Sequence, residues 1–215
     1  MKLLEKLFGK KYRDNNTPKS ITVDTTPDNP CPFGYKTVWY AIKDETPQSV
    51  IEKLSLNVIC ESNWQSGLAY VRFTDNVFVS PVVDGFVLVI DLIGVSKDAE
   101  NEMAKKHARF FNEFFYFGSH RIVDYSGWAK FVNGKLIRAY SYIGERGEVS
   151  WNEGNITNEE LELGFDKFPV STDSIDDDTV YPEEDDVIDI ARLWSIDPWF
   201  NGMNLEKSTG YICKL

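Results

Sequence analysis

The dipeptide Asn133-Gly134 sits between two alternating runs, "WAKFV" and "KLIRAYSYI", and constrains this chain more than any other feature of its sequence. A two-residue hairpin connection of type I′ requires positive φ at both central positions, and Asn followed by Gly meets that requirement at little steric cost. The flanking runs, near 121–132 and 135–143, are therefore expected to be adjacent antiparallel strands, because a parallel return needs a crossover of roughly a dozen residues or more. Period two places Leu136, Arg138, Tyr140 and Tyr142 on one face and Ile137, Ala139, Ser141 and Ile143 on the other. The smaller apolar set is expected toward the core, leaving an aromatic and arginine ladder outside or facing a cleft.

The same punctuation recurs upstream. Asp75-Asn76 and Asp84-Gly85 separate runs rich in β-branched and aromatic residues, predicting strands near 68–73, 77–80 and 86–93. The last is apolar nearly throughout, as in a central strand covered on one or both faces. Between these runs lie helical patterns. Thr46 and Pro47 cap and start a helix over 47–55, and Ser96 precedes one over 97–116 whose Met103, Phe110, Phe111 and Phe114 make an apolar stripe. His107 is expected on the polar side of that helix. Pro182 leads into a helix over 183–195 with Val187, Ile190, Ala191 and Trp194 on one side, and Thr157 with Glu160 forms a capping box for a short helix. The predicted fold is α+β: a mainly antiparallel sheet covered by helices in a single compact domain over 35–215. It follows an N-terminal segment, 1–34, that is partly irregular, with Leu3, Leu4 and Leu7 on one helical face.

With 215 residues, the chain has enough apolar content for a core that needs no disulfide or metal. Its net charge of -11 argues against nucleic acid, whose backbone is bound by concentrated Lys and Arg. Three widely spaced cysteines make a poor disulfide framework and point to a reducing, cytoplasmic setting. No apolar run approaches membrane-spanning length, and the first residues lack a leader's apolar stretch and cleavage site.

Residues 171–190 hold nine Asp or Glu and no Lys or Arg, and so account for -9 of the -11. One reading is a solvated loop followed by an acidic first helical turn. The other is a docking surface for a basic protein, in which Asp176, Asp177, Asp178, Glu183 and Glu184 supply steering charge and Arg138, Tyr140, Tyr142, Arg146 and Trp151 supply anchors. Asp176 to Asp178 lack the donor order and central glycine of an EF-hand, and no metal or cofactor is expected.

The segment "GERGEVSWNEG" is glycine-rich but matches no phosphate-binding loop, and its carboxylates would repel phosphate. Arg138 or Arg146 is expected to pair with Glu145, Glu148 or Asp124 and fix this loop. His120, Asp124 and Glu145 are the candidates for acid–base chemistry, since a histidine oriented by a carboxylate moves protons near neutral pH. Against an enzyme stands the lack of a G-x-S-x-G elbow, an H-E-x-x-H pair or a cysteine in a recognisable catalytic motif.

The run "FGSHRIVDYSGWAKFVNGKLIRAYSYIGERGEVSWNEG", followed by "EEDDVIDIARLWSIDP", resembles a group of poorly characterised single-domain bacterial proteins that share the turn, the "GERG" and the "WSIDP". The resemblance covers about the C-terminal half. In general character these proteins are loosely similar to toxin-associated immunity proteins, which implies a bacterial, cytoplasmic binding or regulatory protein and transfers no catalytic residue. Two other functions remain open: a small-molecule binder or hydrolase with a pocket around His120, Arg138 and Glu145, and a structural domain of a larger assembly. A deep polar pocket would favour the former, a broad aromatic surface beside the acidic loop a protein partner, and a dominant apolar patch self-association.

Overall fold

The structure is a computed structural model that describes residues 22–90, 97–175 and 178–215. Its strands are β1 (Val38–Lys43), β2 (Asn57–Asn63), β3 (Asn76–Val79), β4 (Phe86–Ile90), β5 (Glu113–His120), β6 (Tyr125–Val132), β7 (Lys135–Ile143), β8 (Glu148–Glu153) and β9 (Thr209–Lys214). Among the described residues they form one antiparallel sheet in the order β2-β9-β3-β4-β1-β5-β6-β7-β8. The helices are α1 (Pro47–Lys53), α2 (Trp64–Arg72), α3 (Lys97–Ala108), α4 (Asn158–Glu162) and α5 (Glu184–Trp194). The domain is thus α+β, as its turns and apolar stripes predict.

Both faces of the sheet are covered, and strand alternation sorts the residues between them. Trp39 and Ala41 of β1, Leu88 and Ile90 of β4, and Phe115 and Phe117 of β5 join Trp64 and Val71 of α2 and Val187, Ala191 and Trp194 of α5 in one core. Tyr40 and Ile42, Val87 and Val89, and Phe114 and Tyr116 pack on the opposite side with Val50 of α1 and Ala104 and Ala108 of α3. Of the segment 1–34, the described part lies against the first core through Val23, Cys31 and Phe33. Leu3, Leu4, Leu7, Ser96 and residues 91–93 lie outside the described residues.

Several expected elements differ. The strand expected over 68–73 is helix α2. Its start is fixed by two side chains: Asn63 accepts from the Ser66 amide at 3.0 Å, and Asp28, distant in sequence, accepts from the Trp64 and Gln65 amides at 2.7 and 3.0 Å. Trp64, Gly67 and Val71 then form its buried face. The helix expected over 97–116 stops at Ala108, and "EFFYFGSH" is strand β5 instead. A continuous apolar run fits a strand buried on both faces as well as a helix, and β5 lies between β1 and β6 with aromatics pointing both ways. β1, β2, β8 and β9 were not expected as strands. In β1 the reason is the same, since both faces are apolar.

The Asn133-Gly134 hairpin forms, with φ of 51 and 72° at the two residues. Its face assignment needs correction. A bulge at Lys130/Phe131 makes Phe131 oppose Leu136 while Lys130 opposes Arg138, so Leu136 leaves the Arg138 face and packs with the second core. Of the ladder expected outside or facing a cleft, Arg138 and Tyr140 are instead buried under α4 and the segment around Phe165 and Phe168, while Tyr142 does line a cleft.

His107 is also buried, not exposed. It is 7% exposed, with Nδ1 3.3 Å from the Tyr40 hydroxyl and its ring edge-on to that tyrosine. Burial, helped by the Lys106 charge, pushes it down from 6.5 to about 4, so the folded protein holds it neutral while the unfolded chain protonates first. Its contribution to stability is complete above pH ~6.5 and is lost as pH falls toward about 4, a loss of about 3 kcal/mol. Urea unfolding of wild type and His107→Gln across this range should show the stability difference between them shrinking or reversing as pH falls. A difference independent of pH would contradict the assignment.

Candidate functional site

At the end of the sheet carrying the β5–β6 turn, three segments meet: that turn, the "GERG" turn between β7 and β8, and the start of α5. Asp124 takes φ of 48° to turn the chain into β6. Its carbonyl accepts from the Gly144 amide at 3.0 Å, and the Val123 carbonyl accepts from Glu145 at 3.3 Å, so the two turns dock through their backbones. A Cβ on residue 144 would lie 2.5 Å from that of Asp124, which explains why glycine opens the motif. Arg146 Nη1 pairs with Glu148 Oε2 at 3.6 Å across the turn, one of the ion pairs expected there.

Glu184, in the first turn of α5, ties the third segment down. Its Oε1 accepts from the Lys36 amide at 2.9 Å and the Ser119 hydroxyl at 2.8 Å, and its Oε2 accepts from Arg121 Nε at 2.8 Å. Tyr35 donates to Asp185, lies 5.6 Å from the Arg121 guanidinium, and is pushed up to about 12 mainly by that hydrogen bond. It therefore stays a protonated donor at neutral pH.

These segments enclose a cleft of about 820 Å³. Asp124, Glu183, Glu184 and Asp185 supply four lining carboxylates against one guanidinium, Arg121. Tyr35, Tyr125, Tyr142 and Tyr181 supply aromatic wall, with Tyr142 and Tyr181 at 5.2 Å between ring centroids. An acidic concavity walled by tyrosines suits a cation with an apolar stem: carboxylates meet the charge, and ring faces accept both cation and methylenes. No protein-family model, curated protein or solved structure matches the chain.

Of the residues singled out from sequence, Asp124, Tyr142, Glu183 and Glu184 line this cleft. His120, at the end of β5, and Glu145 and Arg146, in the "GERG" turn, stand beside the cleft but not in its lining. Burial holds His120 below the ordinary histidine value, against the opposing pull of Glu184. Asp178 is exposed, and Asp176 and Asp177 lie outside the described residues. Trp151 is buried in the core on the opposite face, with Lys105 5.4 Å from its ring centre. Tyr140 is buried and donates to the Pro169 carbonyl at 3.1 Å. Tyr35, Tyr181, Ser126 and Asp185 were not singled out as site residues. Asp185 and Tyr181 belong to the acidic segment, but nothing local in the sequence marks Tyr35 or Ser126. Among the described residues, no group of three or more His, Cys, Asp or Glu could hold a metal ion, and no helix is long and apolar enough to cross a membrane.

Arg138 belongs to a buried network and not to the cleft. Its Nε lies 3.0 Å from each oxygen of Glu160, its Nη1 donates to Asn152 Oδ1 at 2.6 Å, and Trp128 Nε1 donates to Glu160 at 2.9 Å. Glu160 is fully buried and also accepts from the Thr157 amide at 2.8 Å, completing the capping box of α4. Removing one partner of such a pair leaves the other charge buried and uncompensated. Arg138→Met is expected to cost about 3–5 kcal/mol in urea unfolding. A cost below ~1 kcal/mol would show that Glu160 finds solvent or another donor.

Proposed function

We propose that this is a bacterial, cytoplasmic binding or regulatory protein, immunity-like in character, that engages a basic protein partner through the acidic, tyrosine-lined cleft and its rim. The observation that carries this reading is the assembly of Asp124, Glu183, Glu184 and Asp185 beside Tyr35, Tyr142 and Tyr181 in one concavity. Separately in sequence, the acidic segment supplies long-range attraction and the tyrosines short-range anchorage. Gathered in one place, they attract a cationic surface and then desolvate it. The chain's net charge of -11 adds to that field and disfavours acidic partners.

A hydrolase built around His120, Arg138 and Glu145 has less support, because Arg138 is committed to Glu160 and neither Arg138 nor Glu145 lines the cleft. The exposed large apolar residues, among them Ile122, Val170 and the β2 neighbours Val58 and Ile59, are spread over separate segments of the chain, which gives a purely structural, self-associating role little support.

The test is kinetic. A partner recovered from the native bacterium is titrated against wild type and against a D124N/E183Q/D185N variant by surface plasmon resonance at several ionic strengths. Wild type should associate roughly ten-fold faster than the variant at low salt, and the two should converge as salt rises. Association indifferent to both salt and the three amides would overturn the proposal.

A further inference from the structure

Two residues lining the cleft carry hydroxyls that make no hydrogen bond to the described residues. Ser119, Ser126 and Tyr142 are direct cross-strand partners on β5, β6 and β7, and such partners project to the same face of an antiparallel sheet. Ser119 identifies that face, since its hydroxyl donates to Glu184 of α5. Ser126, next in the row, is 2% exposed, and Tyr142 is 4% exposed; both line the cleft. Among the described residues neither hydroxyl has a hydrogen-bond partner. Both residues are almost wholly buried while their hydroxyls stay open to the cleft, so an occupant that offers donors there can replace solvent as their partner.

The third free group is the Asp124 carboxylate. It lines the same cleft, lies against Gly144 just beyond β7, and has no ion-pair partner among the described residues. Glu184, by contrast, is already committed to Lys36, Ser119 and Arg121. The open acceptors are thus a serine oxygen from β6, a tyrosine oxygen from β7 and a carboxylate from the β5–β6 turn. An ammonium carries three donors around a compact charge and matches three single acceptors from separate elements. A guanidinium fork is instead matched to paired, coplanar oxygens. The Tyr142 and Tyr181 rings provide walls for the methylene stem of a lysine.

We infer that Ser126, Tyr142 and Asp124 form a subsite for the side-chain ammonium of a lysine presented by the basic partner. The inference rests on the docking function proposed above and specifies which residue type the cleft accepts.

Isothermal titration calorimetry at low ionic strength tests it with hexalysine, hexa-arginine and spermidine as probes, against wild type, S126A, Y142F and D124N. Wild type should bind hexalysine more tightly than hexa-arginine. S126A and Y142F should each weaken hexalysine roughly five- to ten-fold while leaving hexa-arginine unchanged, since each removes one hydrogen bond to a charged group. D124N should weaken both peptides. Thermal midpoints and near-ultraviolet circular dichroism establish that each variant is folded, and Y142F, which keeps the ring, carries the test if S126A does not fold. Absence of hexalysine binding to wild type, or equal losses for both peptides in S126A and Y142F, would overturn the lysine subsite. Spermidine binding more tightly than hexalysine would also overturn it, by assigning the ammonium to a free polyamine. Docking fails or survives separately: a partner association rate that falls in the D124N/E183Q/D185N protein, with hexalysine indifferent to S126A and Y142F, removes the subsite and leaves the docking function standing.

Discussion

Burial of the sheet on both faces is the constraint on which the rest of this structure depends. A strand with one wet face can carry polar residues there at no cost, but a strand covered twice must satisfy or exclude them. In β4 and in residues 114–117 of β5 exclusion prevails, and the side chains are aliphatic or aromatic. In β7 satisfaction prevails. Arg138 lies under α4 because Glu160, Asn152 and the Ala139 carbonyl absorb its donors. Tyr140 is accommodated by the Pro169 carbonyl. A position that looks like a surface anchor in an isolated hairpin thus becomes part of the core.

The cleft exists where this two-sided cover ends. Beyond Phe117 the first core gives way to the row Ser119, Ser126 and Tyr142, of which only the Tyr142 ring still packs with that core, and Glu184 at the start of α5 bonds to Ser119. Glu184 holds that end of the helix by accepting from a backbone amide, a hydroxyl and a guanidinium. Charge-assisted hydrogen bonds of this kind are roughly twice as strong as neutral ones, and here they fasten the start of α5 to Lys36, Ser119 and Arg121. One acidic residue is spent on architecture, which leaves its neighbours Glu183 and Asp185 and the facing Asp124 to set the potential within it.

Acidity in this chain therefore has separable physical roles. Glu160 is neutralised by Arg138 inside the protein, Glu184 is a structural acceptor, and Asp186 closes the cap of α5 by accepting from the Glu183 amide at 2.7 Å. Burial raises Asp186 above the ordinary carboxylate value, and the hydrogen bond from the Glu183 amide, which favours the charged form, offsets that only in part. Asp124, without an ion-pair partner among the described residues, is the carboxylate whose charge is most available to a ligand.

The amino-acid sequence by itself determined the features that are local. The Asn133-Gly134 turn, the Thr157–Glu160 capping box, the Pro47 and Pro182 helix entries and the Arg146–Glu148 pair all involve residues within a few positions of one another, where backbone geometry limits the alternatives. The gathering of acidic residues before α5 was equally legible, and with it part of the cleft. Tertiary structure decided what depended on distant partners. Asp28 capping Trp64 favours a helix where alternation had pointed to a strand, and flanking β1 and β6 make "EFFYFGSH" a strand where apolar spacing had pointed to a helix. His107 and Arg138 are buried because Tyr40 and Glu160 come from elsewhere in the chain to meet them. Tyr35 and Ser126 enter the cleft for the same reason: each is unremarkable among its sequence neighbours, and only the sheet order β1-β5-β6-β7 and the return of α5 across it bring them beside Asp124 and Tyr142. Periodicity reports how buried a residue's own face is, whereas which group stands opposite is fixed by contacts between segments far apart in the chain.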